Sequence, residues 1–157
     1  MDYKKPSHSI ISELVDSWDN SYRLSWTSYF MAITHLISSR SPSKRLKVGA
    51  TIVKNKRIIS TGYNGYLPNI PHISIMRDGH EQNTIHAEQN AISYAARSSC
   101  NIDGATMYIT HFPCIHCTKS IVSSGIKYVY YAKDYRNDDL VVQIMNQAKV
   151  TLSKLEN

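Results

Sequence analysis

From residue 87 to residue 152 the sequence alternates between helical and strand periodicity, and that alternation admits few folds. Apolar residues recur at helical spacing over about 87–97, 114–124 and 138–148, and strand-like runs occupy about 106–110, 128–132 and 150–152. Gly125 stops the middle helix. Strand, helix and strand at this spacing pair in parallel through right-handed crossovers. Upstream, two runs over 48–53 and 57–63 are joined across Lys54-Asn55-Lys56 and read as a hairpin. The expected fold is α/β, with a mixed, largely parallel five-stranded sheet carrying helices on both faces.

Two helices are expected before the hairpin. The first covers about 7–20, with Ser7 as its cap and Ile10, Ile11, Leu14, Val15 and Trp18 on one face. The second covers about 26–38, with Trp26, Phe30, Ile33, Leu36 and Ile37 as its buried stripe, and ends before Pro42. Between hairpin and alternating half lies a polar stretch, 66–84, longer than a compact domain keeps without a use. It reads as a loop covering an active site, with His72, His80 and Glu81 as candidates for a second metal.

At 157 residues the chain has the size of one domain, 1–157, in which 1–24 is an extra helix or arm. The net charge of +6 favours anionic partners such as nucleotides or phosphate esters. The longest apolar stretch, 29–37, is short and contains Thr34 and His35, so no membrane span is expected. Met1 to Pro6 lacks the apolar core of a secretory leader. Three cysteines are too few for a disulfide scaffold, which points to a reducing, cytoplasmic setting.

His86-Ala87-Glu88, followed by Pro113-Cys114-Ile115-His116-Cys117, carries the chemistry. A catalytic zinc takes three protein ligands and leaves a position for water. One imidazole (His86) and two thiolates (Cys114, Cys117) meet that count, and cysteines three apart on a helical turn reach one ion. Zinc lowers the pKa of its water from about 15.7 to about 7. Glu88 is not needed as a ligand and is placed to move a proton. H-x-E followed by P-C-x-x-C is the pattern of zinc nucleobase deaminases. A structural zinc knuckle would need a fourth ligand, for which Cys100 and His111 are the near candidates, and would leave Glu88 unexplained.

At these residues the chain resembles the cytidine and deoxycytidylate deaminase superfamily, most closely the deoxycytidylate (dCMP) deaminases. The likeness runs from Ser25 to Leu152 and includes Val48-Gly49-Ala50, Gly62-Tyr63-Asn64-Gly65 and Ser124-Gly125-Ile126-Lys127. It implies a cytidine-deaminase-like three-layer α/β/α domain, zinc on His86, Cys114 and Cys117, and Glu88 as proton shuttle. It further implies that Asn64 contacts the sugar and that Tyr135 helps hold the substrate. Tyr94 and Arg97 are expected at a subunit contact linked to regulation, with dCTP and dTTP as effectors, in a homo-oligomer, a hexamer. After Gly65, however, Tyr66 to Pro71 departs from the glycine-containing turn of the regulated enzymes.

The expected reaction is hydrolysis of dCMP to dUMP and ammonia, which supplies dUMP for thymidylate synthesis. The alternatives are a dCTP or bifunctional dCMP/dCTP deaminase, a tRNA or nucleoside deaminase, or a non-catalytic zinc module that binds RNA or a partner. Intact Glu88 speaks against the last. No stable nucleic-acid partner is expected, because tyrosines alone do not make a basic stacking track.

Overall fold

The expected hairpin seeds the sheet in a computed structural model that describes residues 8–18, 23–78 and 80–156. β1 (Gly49–Lys54) and β2 (Arg57–Tyr63) pair antiparallel. Between them Asn55 and Lys56 have φ of 51° and 59°, the backbone that lets a two-residue turn match strand twist.

Two small ladders follow: β3 (Gly65–Tyr66) pairs with β6 (Thr84–Ile85), and β4 (Met76–Arg77) with β5 (His80–Glu81). The stretch 66–84 is thus a tied ribbon rather than a plain loop. The Glu81 carboxylate accepts from Ser74 Oγ and from the N–H groups of Ile75 and Asn83, both at 2.9 Å. Glu81 is therefore spent on closing the ribbon, and it belongs to no metal-binding cluster among the described residues.

The alternating half forms as expected: α3 (Ala87–Arg97), β7 (Thr106–His111), α4 (Ile115–Ser123), β8 (Tyr128–Lys133), α5 (Asp139–Gln147) and β9 (Thr151–Lys154). The strand order is β2-β1-β7-β8-β9. β7, β8 and β9 pair in parallel, and β1 lies antiparallel to both its neighbours, so β1 alone runs against the other strands. Side chains alternate across this sheet. Ala50, Ile52, Met107, Ile109 and Val129 face the larger core, built with Ala87, Ala91 and Ala95 of α3, Ile121 of α4, and Val141 and Met145 of α5. Val53 and Tyr108 face the other way, against Phe30 and Met31.

Those last two belong to α2 (Trp26–Ser38), capped by Ser25, whose Oγ accepts from Ser28 N–H at 3.1 Å. Its buried face is Phe30, Met31 and Thr34, while Trp26 and Leu36 stay exposed. The expected stripe is corrected by Thr34, whose hydroxyl donates to Phe30 O (2.7 Å) and lies 2.8 Å from Thr51 Oγ1. A polar group so paired is accepted in the core. α1 (His8–Asp16) precedes it, with Ile10, Ile11, Leu14 and Val15 exposed. The expected Ser7 cap lies outside the described residues. Among the described residues no helix is long and apolar enough to cross a membrane.

Candidate active site

Two helix N-termini converge on the site. His86 is the N-cap residue of α3 and Cys114 that of α4, and neither side chain caps its own helix. Both are left free to face a common point. Gly62 makes the approach of α3 to β2 tight, because a Cβ there would overlap the Ala87 carbonyl. Ser60 Oγ on Ala91 O (2.7 Å) and Asn90 Nδ2 on Tyr63 O (2.9 Å) hold the helix in that place.

His86 Nδ1 lies 3.6 Å from Cys114 Sγ and 3.4 Å from Cys117 Sγ. All three ligand atoms fall within 4.8 Å of one another, the one such cluster among the described residues. Zinc with bonds of about 2.3 Å to sulfur and about 2.0 Å to nitrogen, at the tetrahedral angle, needs an N···S separation of about 3.5 Å. The donor set fits zinc. His111 and Cys100 stand outside the cluster, so among the described residues no fourth protein ligand closes it.

The electrostatics suit a cation. Cys114 is drawn down to about 3, first by its hydrogen bond from Cys117 and also by His86. Cys117 is pushed up by that same bond and by burial. Metal coordination takes both sulfurs as thiolates and releases any proton they hold. His86 is raised, first by its hydrogen bond with Cys114. Glu88, in the first turn of α3, is 4% exposed, and burial is the first cause that raises its carboxyl.

A cavity of about 110 Å³ opens beside these residues, lined by His86, Glu88 and Cys114 together with Asn64, Tyr135, His111, Phe112, Arg45 and Ser43. Asn64 thus reaches the cavity, and its amide also braces the wall. Its Oδ1 accepts from Val48 N–H (2.8 Å) and its Nδ2 donates to Leu46 O (2.9 Å). Tyr135 follows β8 and is seated by its N–H on Asn137 Oδ1 at 3.0 Å. Tyr94 and Arg97 do not come to the cavity; they are exposed farther along α3. Among the described residues of 66–84 none lines the cavity.

Ser43, Arg45 and His111 line the cavity without having been singled out as substrate contacts. Arg45 reads as one charge of a basic run, Lys44-Arg45-Leu46-Lys47, whose use as a phosphate attractor was the only available signal. His111 reads as a spare ligand. Its position at the carboxyl end of a parallel strand, where α/β ligand sites gather, was the better clue.

Fold and site together are those of a zinc-binding deaminase domain, and residues 24–133 match the family described as the cytidine and deoxycytidylate deaminase zinc-binding region. The chain belongs to that family. It is 47% identical over 138 residues to ComE operon protein 2 of Bacillus subtilis (strain 168), covering 85% of this chain and 73% of that one. It is 35% identical to the deoxycytidylate deaminase of Enterobacteria phage T4, over 82% of this chain and 93% of that enzyme. Among solved structures, the dCMP deaminase of cyanophage S-TIM5 in complex with dCMP and dUMP superposes with a TM-score of 0.74 at 38% identity, covering 81% of this chain and 94% of the other.

Proposed function

We propose that this protein deaminates dCMP hydrolytically, giving dUMP and ammonia. One observation carries the reading: a zinc-fitting His86–Cys114–Cys117 cluster and a buried Glu88 share a cavity with the cationic Arg45. The likeness to a dCMP deaminase of known structure supports it.

His86, Cys114 and Cys117 hold the zinc. When bound there, zinc supplies the Lewis acidity that makes water nucleophilic at neutral pH. Glu88 takes a proton from the attacking water and gives it to N3 of the cytosine, then carries the second proton to the departing amine. Its burial favours the protonated form and keeps the carrier dry between transfers. Asn64 offers the sugar what its amide has left after bracing Val48 and Leu46. Tyr135 borders the nucleotide, and Arg45 with Ser43 faces its phosphate, a charge-assisted contact about twice as strong as a neutral one.

Homo-oligomerisation, up to a hexamer, is supported by the exposed Ile10, Ile11, Leu14, Trp26, Tyr29 and Leu36 of α1 and α2. Tyr94, 55% exposed, is offered with Arg97 for a subunit contact sensitive to dCTP and dTTP. The free thiol ligands suit the cytoplasm. Sedimentation with and without dCTP or dTTP reads oligomer and effector together; a monomer indifferent to both contradicts this part.

Substrate choice is tested by ammonia release from dCMP, dCTP, deoxycytidine and tRNA at matched concentration. dCMP should exceed deoxycytidine by orders of magnitude in kcat/KM, because a site built for phosphate is left with unpaired donors beneath a nucleoside. Preference for deoxycytidine or tRNA overturns the assignment and leaves the metal chemistry standing.

A further inference from the structure

His111 closes β7 and lines the cavity, yet it belongs to neither the ligand cluster nor the proton path. Its ring is fixed from behind. Thr110, 1% exposed, accepts the Gly49 N–H at 3.1 Å, and its Oγ1 lies 2.8 Å from His111 Nδ1. Among the described residues the Thr110 hydroxyl proton has that nitrogen as its acceptor. The hydroxyl therefore donates and Nδ1 accepts, which puts the ring proton of a neutral His111 on Nε2. The surroundings keep the ring neutral, as this bond requires. Burial first, then Lys133 and His35, hold His111 below its usual protonation range. Lys133 is its partner across the β7–β8 ladder.

The ring so fixed meets Tyr135 edge-to-face, with centroids 6.1 Å apart and planes at 82°. On the tyrosine ring also rests the Arg136 guanidinium, 5.6 Å from the centroid. Arg136 itself has φ of 47°, left-handed backbone in the irregular stretch between β8 and α5. Tyr135 therefore stands on an irregular segment, and His111 is a contact to its ring from the rigid sheet.

We propose that His111 is a positioning residue, which holds the Tyr135 ring at the cavity wall and through it sets affinity for the pyrimidine nucleotide. The inference rests on Tyr135 bordering the nucleotide, as proposed above. Gly49, Thr110, His111 and Tyr135 then form one line of support, running from the middle of the sheet to the substrate.

A double-mutant cycle tests it on the zinc-loaded protein. KM and kcat for dCMP, the dissociation constant of dUMP and the zinc content are measured for wild type, His111→Ala, Tyr135→Ala and the double variant. His111→Ala should raise KM and the dUMP constant about three- to tenfold, the scale of one aromatic edge contact. Its effect on kcat should be smaller, and its zinc content full. In the Tyr135→Ala background the same change should do nothing further, and His111→Phe, which keeps the ring edge, should recover most of the affinity. Additive effects overturn the proposal, because His111 would then act on its own. Should His111→Ala fail to fold, His111→Leu, which fills the space but removes the aromatic edge, carries the same comparison. If wild type prefers another pyrimidine substrate, the dCMP reading fails by itself, and the cycle is read on that substrate and its product.

Discussion

On the proposed mechanism, Glu88 is the residue on which the chemistry turns. It is 4% exposed and lines the cavity, with Ala87 and Ala91 buried beside it. Glu88→Gln keeps the shape and removes the proton carrier. Zinc content should stay full while turnover falls by at least the roughly 10²–10⁴-fold typical of general acid–base groups; metal loss in that variant would mean that Glu88 is a ligand. Cys117 gives the opposite pattern. Cys117→Ala should lose the zinc, read by metal analysis, because a fully buried thiolate is replaced by a methyl group. Full zinc occupancy there sinks the ligand assignment. Both proposals can be drawn from the sequence because the metal set is local: two cysteines three apart, and a histidine two residues from its acid. Those for Arg45 and His111 cannot, since each meets the cavity only after β1, β7 and β8 have been laid side by side.

At the scale of elements, the approach of α3 to β2 decides where His86 and Glu88 stand. Gly62→Ala puts a methyl group against the Ala87 carbonyl and the Ala91 backbone, and neither can yield as a flexible side chain would. Thermal denaturation should show destabilisation of about 1–3 kcal/mol, the range for overpacking a filled core. Zinc affinity should fall with it, since the helix that carries His86 is displaced. An unchanged melting temperature contradicts this account of the packing. The alternating half could be read from periodicity because each of its elements buries one face. α2 could not, since apolar residues surround it on several sides and pattern alone does not choose among faces; the Thr34–Thr51 hydrogen bond does. The ladders over 65–85 are two residues long, too short for any period to show, and the Glu81 carboxylate fastens Ser74, Ile75 and Asn83 between them.

For the whole molecule, a sheet with α2 on one face and α3, α4 and α5 on the other fixes two helix N-termini over one cavity. Three donors from two helices are brought together by the fold, and a zinc held by them would tie α3 to α4. Removing zinc should therefore loosen the molecule as well as silence it. The most direct measurement follows ammonia release from dCMP through three states of one sample: as purified, stripped by a chelator, and returned to one equivalent of zinc per chain. Activity should vanish on stripping and come back with the zinc. A stripped protein that still deaminates dCMP, or a zinc-restored one that releases no ammonia, contradicts the account.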